Sequence, residues 1–458
     1  MNRTLLLLAL FVSGCSLNPA LTHGPSPVAQ HYAQQNAATG NGADLGWREM
    51  FKDPQLQQAI ALALSNNRDL RIAMLNVDTV QAQYRIQRAA RLPGVEMNGS
   101  WTRQNSGSNA ASGTGGITDQ TTAGVNLSAF EIDLFGRVKS LSTAAYARYL
   151  ATEAGSRAAR ISLIASVARA WYNQMQTAEQ LALSRQTLQD WQHSLVLARQ
   201  LQAANQNSAI DVAQAEGQVA TAEADVQANE RAYLQAGNAL RLLVGTRETL
   251  PVPQSTLMKS DIETELPAGI PSDLLTRRPD IIQAELNLQA ANADIGAARA
   301  AFFPRISLTA SFGQASPQLS QLFDSGSQTW QFLPQVSIPL FQGGRLQAEL
   351  DVAKLKKSTA VADYDKAIQV AFREVSDGLA GNATYRKQMS AQQRVVESAE
   401  RRLHLSMQRY QAGLDNRLEL LDAQRQLYSA QQTLLTLRQN EIDNAITLYK
   451  ALGGGIKE

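Results

Sequence analysis

A single thiol stands in the 458-residue chain, and its setting is specific. Arg3 supplies a positive start, Leu5 to Val12 form an apolar run too short to cross a bilayer, and Val12-Ser13-Gly14-Cys15 follows. That order resembles a bacterial lipobox. Residues 1–14 are expected to leave as a signal peptide, and the Cys15 thiol to take up diacylglycerol. With no second cysteine, a disulfide within the monomer is excluded. Ser16 rather than Asp at the next position points to sorting to the outer membrane. An ordinary signal peptide with an incidental cysteine is the alternative. A covalent lipid adds affinity through each buried methylene but does not make a channel.

No other residue set promises bond chemistry. His23, His31, His193 and His404 show no ligand spacing with carboxylates, and histidine metal sites need clusters. There is no phosphate-binding loop, HExxH or GxSxG elbow, so the chain is not expected to be an enzyme. Asp422 and Arg425 offer ionic chemistry instead. Three residues apart on one helical face, they either pair with each other for a few tenths of a kcal/mol or reach a neighbouring helix. A net charge of +2 gives no field for nucleic acid or an acidic substrate. Long tracts rich in Ala, Gln, Leu and Arg, with only 6% aromatic residues, are typical of helical coils. No run of about 20 apolar residues predicts a membrane-spanning helix.

The elements that would carry these residues come from the prolines and from an internal repeat. All fourteen prolines fall between Pro19 and Pro339, and none lies in Gly94 to Leu250 or Leu340 to Glu458, which permits very long helices. At a shift of 211, Asp69 meets Asp280, Asn76 meets Asn287, Arg88-Ala89-Ala90 meets Arg299-Ala300-Ala301, and Pro93 meets Pro304. At a shift of 208, Arg137 meets Arg345, Val167 meets Val375, and Gly245 meets Gly453. Each copy therefore reads helix, strand, loop, strand, long helix, turn, helix. The division is 1–14 signal peptide, 15–65 N-terminal segment, 66–245 first repeat, 246–277 linker, 278–453 second repeat and 454–458 tail.

Leu420, Leu427, Leu434 and Leu448 recur on a seven-residue spacing beside Ala423, Ala430, Leu437 and Ala451, and Val212, Val219 and Val226 repeat the pattern in the first copy. That period implies left-handed supercoiling against neighbouring helices, with Asn229, Glu441 and Asn444 as register devices or solvent-facing breaks. Unbroken helices over Arg137 to Ala204 and Arg345 to Ala412 would each reach on the order of 100 Å. Four short stretches alternate instead: Val95, Met97, Gly99, Trp101; Val125, Leu127, Ala129; Ile306, Leu308, Ala310, Phe312; and Val336, Ile338, Leu340. Such alternation fits membrane barrel strands, lipid on one face and water on the other. Two hairpins cannot close a barrel, and open edges are forbidden in lipid, so the strands demand oligomerisation; three copies would supply twelve. Gly- and Ser-rich loops are expected over Asn105 to Gln120 and Gln314 to Gln328.

Phe130-Glu131-Ile132-Asp133-Leu134-Phe135-Gly136-Arg137, Arg278-Pro279-Asp280-Ile281, Ala300-Ala301-Phe302-Phe303-Pro304, Pro339-Leu340-Phe341-Gln342-Gly343-Gly344-Arg345 and the run from Tyr410 to Arg425 cover the mature chain in a familiar order. In these motifs the chain resembles the TolC-like outer-membrane factors, specifically the NodT-type lipoprotein branch serving resistance–nodulation–division efflux pumps. The family usually has Trp where Phe130 stands. The resemblance implies a mainly α homotrimer: a twelve-stranded β-barrel continuous with a coiled-coil α-barrel, and an equatorial belt from Leu45 to Asn66, Thr246 to Thr276 and the C-terminus. It implies an outer-membrane duct for drugs or other small molecules, lipid-anchored and extending into the periplasm, with a periplasmic adaptor and an inner-membrane pump as partners and no cofactor beyond the lipid. It implies an iris-like gate near Tyr410, Asp422 and Arg425, where three Asp422 carboxylates would repel unless Arg or a cation neutralised them. The first-copy equivalents, Gln214 and Gly217, cannot make that pair. The hairpin ends Asn205, Gln206, Asn207, Ser208 and Gly413, Leu414, Asp415, Asn416 are the expected docking points for the adaptor, and Gly413 suits a left-handed helix end. A type I secretion duct and a non-channel, lipid-anchored coiled-coil scaffold are the alternatives.

Overall fold

The proline-free tracts become the longest elements of the chain. In a computed structural model the described residues are 17–455 and 457, apart from positions 23, 26, 30, 33–41, 107–115, 207, 247–254, 265 and 270. In chain order they form α1 (Trp47–Met50), α2 (Pro54–Asn66), α3 (Arg68–Ala89), β1 (Val95–Ser106), β2 (Gly116–Ile132), α4 (Arg137–Ala203), α5 (Ala209–Val244), α6 (Asp273–Arg277), α7 (Pro279–Ala300), β3 (Arg305–Ser316), β4 (Gln328–Ser337), α8 (Arg345–Gln411) and α9 (Arg417–Ala451). Helices α4 and α8 each run 67 residues without a break.

The repeat is visible in backbone detail. Helices α3 and α7 are both 22 residues long. Three pairs at the 208 shift share a positive φ: Gly136 (73°) with Gly344 (84°), Asn205 (57°) with Gly413 (67°), and Gly245 (70°) with Gly453 (87°). They mark where a helix must start or stop, and a left-handed residue there satisfies the orphan end groups that a helix leaves behind.

The chain divides into two compact units that cut across the repeats. One comprises 1–25, 76–153 and 283–364; the other comprises 26–75, 154–282 and 365–458. In the first, β1-β2-β3-β4 form one antiparallel sheet in that order. Val95 faces Leu127, Met97 faces Val125, Val125 faces Phe312, and Phe312 faces Trp330, so the apolar residues share one face. Asn98, Gly124, Gly313 and Thr329 lie in register on the other. Met97 is 85% exposed and Trp330 75%. A sheet face this apolar and this uncovered needs lipid rather than water. No helix among the described residues is long and apolar enough to cross a membrane.

Two strand expectations need correction. Alternation in β2 does not run through Ala129, because a bulge between Leu127 and Phe130 shifts the register, and Ala129 takes φ 44°. Phe130 and Ile132, opposite Leu308 and Ile306, resume the apolar face. One extra residue flips the two-residue period, so the face is preserved only by restarting it. The strands also extend into the expected loops: Ser106 pairs with Gly116, Gln314 with Gln328, and Leu319–Gln321 is a short 3₁₀ turn. Residues 107–115 lie outside the described residues.

In the second unit a core of large side chains gathers where the expected belt segments meet the long helices. Trp47, Phe51, Leu56, Ile60, Trp171 and Leu257 are essentially fully buried. Phe51 meets Tyr449 edge-on at 6.1 Å and bridges to Ile262. Arg278 is buried in the same unit. It donates to Asp280, to Glu374 at 2.8 Å and to the Ala451 carbonyl at 2.9 Å. Asn444, read as a polar break in the heptads, donates to the Gly378 carbonyl and to Asn382 and so fixes the register of α9 on α8.

Candidate functional site

The residues singled out in the sequence gather at the ends of the two helical hairpins, α4–α5 and α8–α9. Each end is built by local hydrogen bonding. In the first, Asn205 adopts the left-handed conformation, Gln206 N–H donates back to the Leu201 carbonyl, and Ser208 caps α5 in a reciprocal box with Asp211. In the second, Gly413 is left-handed, Leu414 N–H donates to the Arg409 carbonyl, and Asn416 caps α9 through Glu419 N–H at 3.2 Å. Arg409 grips Asp415 with two hydrogen bonds of 2.7 Å, and this guanidinium holds the Asp415 carboxyl below the usual carboxylate range. Asn207 lies outside the described residues.

Asp422 and Arg425 do not pair with each other. Asp422 accepts from Arg402 of α8 at 2.7 Å, and the same guanidinium reaches Gln426 and Glu419. That cluster staples α8 to α9 within the second hairpin. Arg425 points to the other hairpin, giving Gln218 Oε1 of α5 two hydrogen bonds of 2.9 and 2.6 Å. Arg417 makes a second tie between hairpins: buried at the start of α9, it donates to the Ser194 carbonyl and hydroxyl of α4, each at 3.2 Å. Tyr410 is buried close to the same end. Arg402, Gln218 and Ser194 carry no motif in the sequence and Arg417 stands there only within the family run, although Ser194 is the first-copy counterpart of Arg402 at the 208 shift.

Cys15 lies outside the described residues, but the chain just after it is fastened within the sheet-bearing unit. Arg299 donates to the Leu17 carbonyl, Ser140 to Asn18 Oδ1 at 2.9 Å, and Asn292 to the Pro19 carbonyl at 2.8 Å. Gly296 makes room for this strap: a Cβ there would sit 1.6 Å from Asn18 Oδ1. Among the described residues no group of His, Cys, Asp and Glu is placed to hold a metal ion.

Comparison with known proteins gives this geometry its setting. The family model described as outer membrane efflux protein matches residues 59–246 and 270–454. The chain is 44% identical over 465 residues to the probable efflux pump outer membrane protein TtgC of Pseudomonas putida, covering 99% of this chain and 96% of that one. A crystal structure of a membrane protein from Pseudomonas aeruginosa superposes with a TM-score of 0.90 at 40% identity, covering 96% of this chain and 100% of that one. The open state of the Neisseria gonorrhoeae MtrE outer membrane channel superposes at 0.88 and 36% identity, covering 97% and 99%. With both repeats matched and the fold shared along almost its whole length, the chain belongs to the outer membrane efflux protein family, as a transport duct of the outer membrane and not an enzyme.

Proposed function

We propose that three copies of the chain form the exit duct of a tripartite efflux pump and pass small molecules outward, with no bond made or broken. The carrying observation is the sheet: one strongly apolar, exposed face, an opposing polar face, and outer strands β1 and β4 with no further strand beside them among the described residues. Unpaired edges in hydrocarbon cost several kcal/mol per group, so closure by neighbouring copies is required. Twelve strands from three chains make a barrel wide enough for a water-filled lumen.

The gate belongs to the second hairpin. To swing outward it must shed the ties that hold it to the first, Arg425–Gln218 and Arg417–Ser194, while the Arg402–Asp422 staple travels with it as part of one rigid body. A periplasmic adaptor engaging the ends at Asn205 to Ser208 and Gly413 to Asn416 would bias that movement, and an inner-membrane pump would supply the cargo. Cys15 would carry the lipid, and the strap from Leu17 to Pro19 would hold the anchor beside the sheet-bearing unit.

Purified protein in detergent should run as a heat-resistant trimer and conduct ions in planar bilayers. A monomeric, non-conducting protein would return the chain to the scaffold reading. Mass spectrometry of the mature N-terminus should find the acylated Cys15, and Cys15→Ser should lack the adduct.

A further inference from the structure

Beyond the tips, a groove of about 530 Å³ lies between α4, α8 and α9 of one chain. Its walls set apolar side chains, Trp191 of α4, Leu403 and Met407 of α8 and Leu427 of α9, among polar ones such as Thr187 and Gln431. Trp191 is only 4% exposed and meets Tyr428 in an edge contact at 6.1 Å. Gln424 of α9 lines the same groove. Its side chain is 6% exposed, and its Oε1 is buried without a hydrogen-bond partner. A well-packed seam would place Leu or Ala at such a position, since an unmet buried acceptor is costly. On the solvent edge stands Asp190, which accepts from Gln186 at 3.1 Å and lines the groove as well.

The groove's charges have an order. Ser194, one helical turn from Asp190 towards the hairpin end, carries the buried Arg417 guanidinium on its carbonyl and hydroxyl. No carboxylate pairs with Arg417 among the described residues. A second cation is therefore repelled at the tip end and drawn to Asp190 at the other. His193 and Tyr428 are the remaining titratable groups on the wall.

We propose that this groove is a binding site for small aromatic cations. The ring system lies against Trp191, Met407 and Leu427, the positive group faces Asp190, and an N–H donor of the ligand satisfies Gln424 Oε1. A volume of this size suits a drug-sized molecule. A ligand there wedges α4 against α8 and α9, on the same helices whose Arg417–Ser194 tie joins the two hairpins. The site would let such a molecule bias the movement of the second hairpin.

The test uses the full-length trimer in detergent, titrated into the cationic dye rhodamine 6G and followed by fluorescence anisotropy, with anionic fluorescein as the charge control. Saturable binding of one rhodamine per chain is expected, with fluorescein excluded. Asp190→Asn should weaken binding about fivefold, the scale of one partly exposed ion pair. Gln424→Leu should weaken it about tenfold while leaving the trimer at least as heat-resistant. Asp190 is exposed, so its variant keeps the helices packed and a lost affinity there is not misfolding. Non-saturable uptake, equal uptake of the two dyes, or affinities unmoved by both variants would overturn the site. Conductance of the same trimers reports the duct reading separately, so a conducting trimer that takes no dye rejects only the groove.

Discussion

Removing Arg425 should loosen the gate more than removing Asp422, although the sequence sets the two side by side. Arg425 places two hydrogen bonds on Gln218 across the hairpins, whereas Asp422 is bound to Arg402 inside one hairpin. A sheltered hydrogen bond from a charged donor is worth roughly 1.5–3 kcal/mol, but Arg425 is exposed, and exposed ionic contacts fall nearer 1 kcal/mol. Gln218 is buried, so Arg425→Ala also strands its amide oxygen and adds to the cost of the closed arrangement. Together these give about 1–2 kcal/mol per chain, which moves the open-to-closed ratio about 5- to 30-fold. Asp422→Ala breaks a pair whose members both belong to the hairpin proposed to move, and less than about a twofold change is expected. Single-channel recording in planar bilayers reads this as open probability and conductance. In a double-mutant cycle, Gln218→Ala should add little to Arg425→Ala. A rise for Asp422→Ala with none for Arg425→Ala would refute the assignment of the restraint to the inter-hairpin tie.

Three further outcomes follow from local geometry. At Gly313 an added Cβ would lie 2.4 Å from the Ala123 carbonyl oxygen and 2.6 Å from Gly124 Cα, all backbone, so Gly313→Ala should lose the heat-resistant trimer, and a wild-type yield on gels would contradict the β2–β3 register. Ala129 holds φ 44° in the β2 bulge, and Ala129→Gly should relieve about 1 kcal/mol and raise the unfolding midpoint in a denaturant series. Burial pushes the Asp280 carboxyl up, but the hydrogen-bonded Arg278 guanidinium outweighs it and holds the carboxyl below its ordinary range. A depressed folded-state pKa contributes stability above the unfolded value of about 3.9 that is lost as pH falls through the folded value. Wild type should therefore lose more melting temperature than Asp280→Asn between pH 5 and pH 3, and equal losses would remove Asp280 from the account.

What the sequence conveyed and what it withheld divide along physical lines. Helix ends and strand faces depend on residues close in the chain, and the 208 shift that pairs Asn205 with Gly413 also pairs their backbone conformations. The bulge was hidden because Ala129 continues the alternation of Val125 and Leu127; the signal was the adjacent apolar pair Ala129-Phe130, which one strand face cannot hold. Arg402 was recoverable. It stands eleven residues before Gly413 and Asp422 stands nine after it, so an antiparallel hairpin folded at that glycine brings them opposite each other. Gln218 and Ser194 were not, because their contacts with Arg425 and Arg417 depend on how one hairpin packs against the other, and no local period encodes that.

The duplication leaves the two hairpins tied in different ways, and the proposed movement of the second would draw on that difference. Two identical copies would staple themselves and each other alike, and neither would be released first. At the 208 shift the second hairpin carries Arg402 and Asp422 where the first carries Ser194 and Gln214. The charged pair ties α8 to α9 through a bond of 2.7 Å, as Arg199–Glu216 ties α4 to α5 at 2.8 Å. The neutral residue left in the first becomes an acceptor, with Ser194 receiving Arg417 through its carbonyl and hydroxyl. The exchange of Arg402 for Ser194 between the copies thus supplies the first hairpin with a neutral latch. A rigid body held by hydrogen bonds to neutral acceptors separates at lower cost than one held by buried ion pairs, whose rupture leaves uncompensated charge. Replacing Ser194 by Asp should therefore tighten the latch on Arg417 and lower open probability, whereas the same charge at Gln214, which takes no hydrogen bond from Arg417, should leave it unchanged.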